Sequence, residues 1–263
     1  MSTLRWILLT NPESPGGRII LRRLCEAGLP PSIVLAEALR AEPFGQRLRR
    51  AVATRGLRGL LATVGRRALR RLGLPNGRGA GETLRDLCRM AGVPYDEIAS
   101  LNTEEGRRLT ERCAPDLGVV CGTRILRRVV FGVPRLGCVN LHTSLLPKYR
   151  GKASIFWALY YGDPVGVSIH MVDDALDAGT ILRQMPVQVG PGDCGQEVLG
   201  RCLETGAELI LAVVRYWPSA GRCRWRWRRQ RSGAGLPRPF PSRGPRLPAP
   251  PPDARRRVRR LLK

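Results

Sequence analysis

Residues 137–142 have the sequence GCVNLH, which is the pattern of a short buried strand that ends in polar side chains. Residues two apart in a strand point to the same face, so Asn140 and His142 share one face of this strand. Central strands of a parallel sheet are normally apolar on both faces. A polar pair near the carboxyl end of such a strand lies where open α/β sheets bind their ligands. The segment therefore predicts a functional site.

The flanking sequence alternates strand patterns with helix patterns. Apolar runs predict further strands at 4–10, 32–36, 96–100, 117–121, 165–172 and 181–189. Helical patterns lie between them at 18–27, 83–91, 103–113, 124–131 and 197–214. Such alternation is typical of an α/β protein. We therefore predict an open, mostly parallel, doubly wound sheet of the Rossmann type.

The composition indicates which cellular compartment and which metal sites can be expected. The 263 residues include eight cysteines and two histidines. The cysteines form no CxxC pair, so we expect reduced, buried thiols and no metal site. No apolar run approaches the ~18 residues that a membrane span needs, and the short apolar segment at 6–9 does not resemble a signal peptide. We expect a cytoplasmic protein that does not bind membranes.

The net charge of +24 is unevenly distributed along the chain. Residues 1–80 carry +11, residues 81–215 carry −1, and residues 216–263 carry +14. We expect one catalytic domain over 1–217, in which 38–80 forms a basic helical insertion, and a poorly ordered Pro/Arg-rich tail at 218–263. The basic ends leave one alternative open, in which the chain is a nucleic-acid-binding module with a degenerate catalytic core.

A loop between two predicted strands supplies carboxylates to the same region. Residues 173–179 have the sequence DDALDAG, and the final glycine permits close approach of the backbone. One interpretation is structural, in which His142 satisfies backbone groups and Asn140 caps a turn. The other is catalytic and suits attack of an external amine on an acyl carbon. Asn140 would donate to the oxyanion, His142 would move or stabilise a proton, and Asp177 would hold the imidazole or a relay water.

Three blocks of sequence resemble the folate-dependent formyltransferases. Residues 140–151, NLHTSLLPKYRG, are similar to the family pattern N-hydrophobic-H-x-S-L-L-P. Residues 166–179, GVSIHMVDDALDAG, resemble its second block, which ends in L-D-x-G. Residues 115–126, which begin PDL and end GTRIL, resemble an earlier strand and its folate-binding turn. The similarity extends over roughly 90–215.

The resemblance implies 10-formyltetrahydrofolate as the donor, with no metal, and a primary amine as the acceptor. It assigns Asn140, His142 and Asp177 to catalysis, with His142 as proton donor. It implies that the donor is held by a set of residues in three segments: Arg124, Ile125, Leu126, Asn140, Val172, Asp173, Asp174 and Asp177. It also suggests that His170 and Arg150 contact the acceptor, although a histidine in a strand can equally be a satisfied structural residue.

The acceptor itself is open to several interpretations. His170 and the carboxylate loop favour a small molecule of the phosphoribosylglycinamide type, whereas residues 11–18 do not match the phosphate loop of enzymes that use it. The dipeptide at 150–151 resembles the branches that act on amino-sugar nucleotides or methionyl-tRNA, so tRNA is a less favoured partner. Hydrolysis of formyltetrahydrofolate by water is a further alternative.

Overall fold

The computed structural model describes residues 4–38, 82–190 and 192–217. The expected tail at 218–263 and nearly all of the expected basic insertion at 38–80 lie outside the described residues. The described strands are β1 (Trp6–Thr10), β2 (Val34–Glu37), β3 (Tyr95–Ile98), β4 (Leu117–Cys121), β5 (Cys138–His142), β6 (Gly166–Met171) and β7 (Ile181–Pro186). The described helices are α1 (Pro15–Glu26), α2 (Leu84–Met90), α3 (Glu104–Arg112), α4 (Arg128–Phe131), α5 (Ser154–Tyr161) and α6 (Gly195–Tyr216).

The seven strands form one sheet in the order β3-β2-β1-β4-β5-β6-β7. The strands from β3 to β5 are parallel, whereas β6 and β7 are antiparallel to their neighbours. The strand order reverses between β1 and β4, so the carboxyl ends of β1, β4 and β5 border the crevice in which such sheets bind ligands. The predicted open, mostly parallel α/β sheet is confirmed.

Two hydrophobic clusters cover the two faces of the sheet. One cluster packs α1, α2 and α6 on a face that includes Val139 and Leu141 of β5. The other cluster contains Cys138 of β5, together with Leu126 and the buried residues of α4. Because side chains alternate along β5, Asn140 and His142 share the face of Cys138. The polar pair therefore lies on the side of the sheet that the long helices do not cover.

Helix α1 begins earlier than the sequence predicts. The side chain of Ser14 accepts a hydrogen bond from the N–H of Gly17, and Pro15 occupies the first turn. Both features favour a helix start at that point. Gly28 follows the end of the helix at the predicted position and has a φ of 71°. Glycine is favoured in this left-handed conformation because it has no Cβ.

The structure corrects one predicted helix. Only 128–131 of the expected helix at 124–131 is helical, and residues 122–127 form a loop after β4. Side chains from neighbouring strand ends bind the backbone of this loop, which replaces the hydrogen bonds that a helix would have made. Among the described residues, no helix is both long and apolar enough to cross a bilayer.

Candidate active site

Asn140 and His170 face each other across neighbouring strands. They are paired in register between β5 and β6, and the Nδ2 atom of Asn140 lies 3.1 Å from Nε2 of His170. Nδ1 of His170 lies 2.8 Å from the carbonyl oxygen of Met171, which can only accept a hydrogen bond. In the neutral ring the proton is therefore on Nδ1, and Nε2 accepts from the Asn140 amide. The second N–H of that amide remains available to a ligand.

Asp177 lies between the two histidines. Its Oδ2 atom is 3.6 Å from Nδ1 of His142, and its Oδ1 atom is 3.5 Å from Nε2 of His170. The N–H of Gly151 also donates to Oδ2 at 2.7 Å. Asp177 adopts a left-handed backbone with φ 47°, which an aspartate tolerates better than most residues. The structure thus brings residues from β5, β6 and two loops into one cluster.

The main chain of Tyr149 sets the tautomer of His142. Nε2 of His142 lies 2.9 Å from the carbonyl oxygen of Tyr149, so Nε2 carries a proton and donates it. The lone pair of the neutral ring is then on Nδ1, which faces Asp177. When His142 takes up a proton at Nδ1, the carboxylate can stabilise the resulting imidazolium.

Burial and neighbouring groups determine the charge states of His142 and Asp177. His142 is 7% exposed, and burial lowers its pKa below 6.5, although the charge of Asp177 and the hydrogen bond to Tyr149 oppose this effect. Burial alone would raise the pKa of Asp177, but a hydrogen bond from protonated His170, the charge of protonated His142 and the N–H of Gly151 together hold it below 3.8. At neutral pH the site therefore contains a neutral imidazole beside an ionised carboxylate.

His170 and Arg150, the residues suggested for acceptor binding, have different surroundings. His170 is 2% exposed and contacts Asn140 and Asp177, so its polar atoms are committed within the cluster. Arg150 is half-buried next to Gly151. Both lie beside the candidate catalytic residues, but His170 presents little surface to a substrate.

Apart from Asn140 of β5, the residues expected to hold the donor lie in two loops. In the loop after β4, Arg124 binds Glu37 at 2.8 Å, Ile125 is 68% exposed and Leu126 is buried. In the loop after β6, the N–H of Val172 donates to Cys138 at 2.7 Å. Asp173 and Asp174 are exposed. Their side chains serve the loop itself, because the carboxylate of Asp174 binds Arg128 of α4 and that of Asp173 accepts from the next N–H.

Several residues that build this site were not predicted from the sequence. Tyr149 and Gly151 act through backbone atoms, which side-chain patterns do not reveal. Ser168 and Gln184 anchor the loop after β5, because both bind the backbone of Leu146. Glu37 ends an apolar strand in a carboxylate, and that signal could have been found by the same rule that selected Asn140 and His142.

Comparison with known proteins supports the resemblance to a known family. Residues 93–214 match the family model described as formyl transferase. This match supports the resemblance of the segment 93–214 to the folate-dependent formyltransferases. The methionyl-tRNA formyltransferase of Aromatoleum aromaticum is 38% identical to this chain over 150 residues, which cover 55% of this chain and 48% of that protein. That of Koribacter versatilis is 37% identical over 143 residues, covering 52% and 46% of the two chains.

Solved structures share the fold of this chain at lower sequence identity. Glycinamide ribonucleotide transformylase 1 from Symbiobacterium toebii has a TM-score of 0.59 at 20% identity, covering 87% of this chain and 95% of that chain. Phosphoribosylglycinamide formyltransferase from Anaplasma phagocytophilum has a TM-score of 0.58 at 18% identity, covering 83% and 89%. The chain spans about half the length of the curated relatives it matches. The predicted resemblance to the folate-dependent formyltransferases is confirmed.

Proposed function

We propose that this protein transfers a formyl group from 10-formyltetrahydrofolate to a primary amine. The observation that carries the proposal is the position of Asp177, whose two carboxylate oxygens face His142 and His170 beside the amide of Asn140. The cluster contains a hydrogen-bond donor for an oxyanion, a neutral base and a carboxylate that stabilises the protonated base. These are the groups that acyl transfer to an amine requires.

In the proposed reaction, the amine nitrogen attacks the formyl carbon and a C–N bond forms. The formyl oxygen becomes an oxyanion, which the remaining N–H of Asn140 stabilises. His142 accepts the proton of the attacking amine at Nδ1, and Asp177 stabilises the imidazolium. The bond between the formyl carbon and N10 of the folate then breaks, and the proton passes from His142 to N10. The products are the formylated amine and tetrahydrofolate, so the protein ends in its starting protonation state.

The loop after β4 suits the heterocycle of the donor. Within the described part of the chain, the N–H groups of Arg124, Ile125 and Leu126 donate to no protein atom. The exposed side chain of Ile125 offers an apolar surface beside them. Unpaired backbone donors next to an apolar side chain fit a flat ring with polar edges. Arg128 of α4 ties this loop to the one after β6 through Asp174, so both loops border the same crevice.

The loop between β1 and α1 argues against a phosphoribosyl acceptor. Its backbone donors are used internally, because the N–H of Glu13 binds the side chain of Asn11 and the N–H of Gly17 binds Ser14. The N–H of Ser14 binds the Asn11 carbonyl. Glu13 is exposed and adds a negative charge at the same place. A phosphate gains most from free backbone donors at a helix start, and this loop offers few.

The acceptor that best fits these observations is an amine carried on tRNA, although the sequence alone favours phosphoribosylglycinamide. The two curated relatives described above are named for methionyl-tRNA and are 38% and 37% identical to this chain. The net charge of +24 also favours a polyanionic partner. We therefore assign the aminoacyl end of methionyl-tRNA as the acceptor within the proposal.

The test incubates the protein with 10-formyltetrahydrofolate and one amine at a time, and mass spectrometry detects the formylated product. The amines are methionyl-tRNA, phosphoribosylglycinamide and an amino-sugar nucleotide, and a fourth reaction contains no amine. Formylmethionyl-tRNA is the expected product. Formylation of a different amine would overturn the acceptor but retain formyl transfer, whereas formate released equally with and without amine would indicate a hydrolase. Asn140→Ala is the matched negative control.

A further inference from the structure

The loop at 122–127 is fixed by side chains from three neighbouring strand ends. Asn11, which follows β1, donates to the carbonyl of Gly122. Glu37, the last residue of β2, binds Arg124 at 2.8 Å. Asn102, which lies beyond β3, donates to the carbonyl of Ile125 at 2.8 Å and accepts from the N–H of Arg127 at 2.7 Å. None of these contacts is local in sequence, so the conformation of the loop depends on the assembled sheet.

Asn102 binds this loop as the edge of a neighbouring strand would. Its amide supplies one donor and one acceptor to backbone groups two residues apart. In an extended chain, backbone groups two residues apart point to the same side, and those of the residue between them point to the opposite side. Arg127 is extended, with φ −94° and ψ 158°. Binding at Ile125 and Arg127 therefore directs the backbone N–H and C=O of Leu126 away from Asn102.

We propose that Asn102 is a positioning residue for the folate donor. By occupying one side of the loop, it holds the backbone of Leu126 in the orientation in which that N–H and C=O can bind the donor ring. This inference rests on the proposed function, because it concerns the binding of the donor at the same site. Asn102 itself does not contact the donor.

Asn102 also has a local structural role, which the experiment must separate from positioning. Its N–H contacts Ser100, and it directly precedes Thr103, whose side chain caps α3 by accepting from Gly106 at 3.2 Å. Loss of this turn would lower stability but would leave the orientation of the loop after β4 unchanged. Donor affinity and thermal stability therefore report on different roles.

The decisive substitution is Asn102→Asp, which has nearly the same size. A carboxylate can still accept from the N–H of Arg127, but it has no hydrogen to donate to Ile125 and places a negative charge beside that carbonyl. We expect the Kd for tetrahydrofolate, measured by titration calorimetry, to rise at least ~10-fold. At saturating donor, kcat should stay within roughly 3-fold, so the defect should appear in KM for the donor.

Two further variants make the test independent of folding. Asn102→Ser removes the amide without adding charge and should also raise the Kd at least ~10-fold. Thr103→Ala is the matched control, because it removes the cap of α3 at a cost of ~1 kcal/mol in stability and leaves the contacts of Asn102 in place. Its Kd for tetrahydrofolate should equal that of the wild type.

The outcomes separate this inference from the proposed function. If the wild type binds tetrahydrofolate and both Asn102 variants bind it equally well, the positioning role is wrong and the proposed function stands. An equal loss of affinity in Thr103→Ala would likewise overturn positioning, because stability alone would then explain the effect. If the wild-type protein does not bind tetrahydrofolate, the proposed function fails, and this inference fails with it.

Discussion

The carbonyl oxygen of Tyr149 lies 2.9 Å from Nε2 of His142, and Tyr149 adopts a left-handed backbone with φ 58°. The aromatic ring is buried, and its hydroxyl donates to Asp163, which also binds Lys148 at 2.6 Å. The hydroxyl and ring contacts hold the residue in a backbone conformation that non-glycine residues rarely adopt. The carbonyl thereby remains directed at the imidazole, and Nδ1 faces Asp177.

Loss of the Tyr149 hydroxyl should impair chemistry more than donor binding. Tyr149→Phe keeps the buried ring but loses the bond to Asp163, so the carbonyl is less firmly held against His142. We expect kcat to fall about 10-fold, with the Kd for tetrahydrofolate unchanged. Lys148→Met is the control, because it removes the other partner of Asp163 and leaves the tyrosine contact in place. An equal loss of kcat in both variants would contradict the role assigned to Tyr149.

Asp177→Asn should remove most of the catalytic rate. The amide is similar in size and can still accept from Gly151, but it has no charge with which to stabilise protonated His142. We expect kcat to fall by ~10²-fold, and steady-state kinetics with saturating donor would measure it. Asp174→Asn is the control, because that carboxylate is exposed and binds Arg128. Turnover close to wild type in Asp177→Asn would remove Asp177 from the mechanism.

The activity should decrease on the acidic side of the pH profile. In the proposed reaction His142 acts as a neutral base. Burial holds its pKa below 6.5, so activity should persist below pH 6.5 and fall only as the imidazole becomes protonated. The charge of Asp177 raises the pKa of His142, against the effect of burial. Its removal in Asp177→Asn should therefore shift the remaining acidic limb to lower pH. A shift to higher pH would contradict this electrostatic account.

The contacts of His142 determine how that profile should be interpreted. Besides burial, three groups change the pKa of His142: the carboxylate of Asp177, the ring of His170 and the carbonyl of Tyr149. His170 opposes protonation of His142. Measurements of kcat/KM between pH 5 and 8 on the wild type, Asp177→Asn and His170→Asn would separate the two effects. His170→Asn should move the limb to higher pH, which is the opposite direction.

Gly179 should not tolerate even a methyl group. A Cβ at this position would lie 1.9 Å from the carbonyl oxygen of Met171, so the loop at 172–179 would have to move and would displace Asp177. We expect Gly179→Ala to lower kcat by at least about 10-fold. Gly192→Ala is the matched control, since no atom lies within 4 Å of its added Cβ. A fully active Gly179→Ala variant would show that the loop position is not critical.

The sequence predicted the parts of the fold and site that depend on local patterns. Strands β4 and β5 have short apolar runs, and the polar residues 140 and 142 interrupt that pattern at the candidate site. The Asp177 loop was predicted because carboxylates cluster between two strands. The helix at 124–131 was predicted too long, because its residues fit a helical spacing while Asn102 and Glu37 bind the loop from distant strands.

Other features were beyond the reach of sequence patterns. Helix α5 has the sequence SIFWALYY, which is apolar on all sides. It therefore offers no amphipathic signal, and no helix was predicted there. Tyr149 and Gly151 reach His142 and Asp177 through backbone atoms, so their roles depend on the conformation of the loop and not on their side chains. The hydrogen bonds that the backbone N–H groups at 11–17 make within their own loop could not be predicted either, because they form only in the folded turn.

The most direct test of the account follows a labelled formyl group. The protein is incubated with 10-formyltetrahydrofolate labelled with ¹³C in the formyl carbon and with methionyl-tRNA, and the aminoacyl end is analysed by mass spectrometry. The account predicts that the wild type transfers the label to the amine and that Asp177→Asn forms at least ~10²-fold less product in the same time. Equal transfer by both proteins, or label found only in formate, would contradict it.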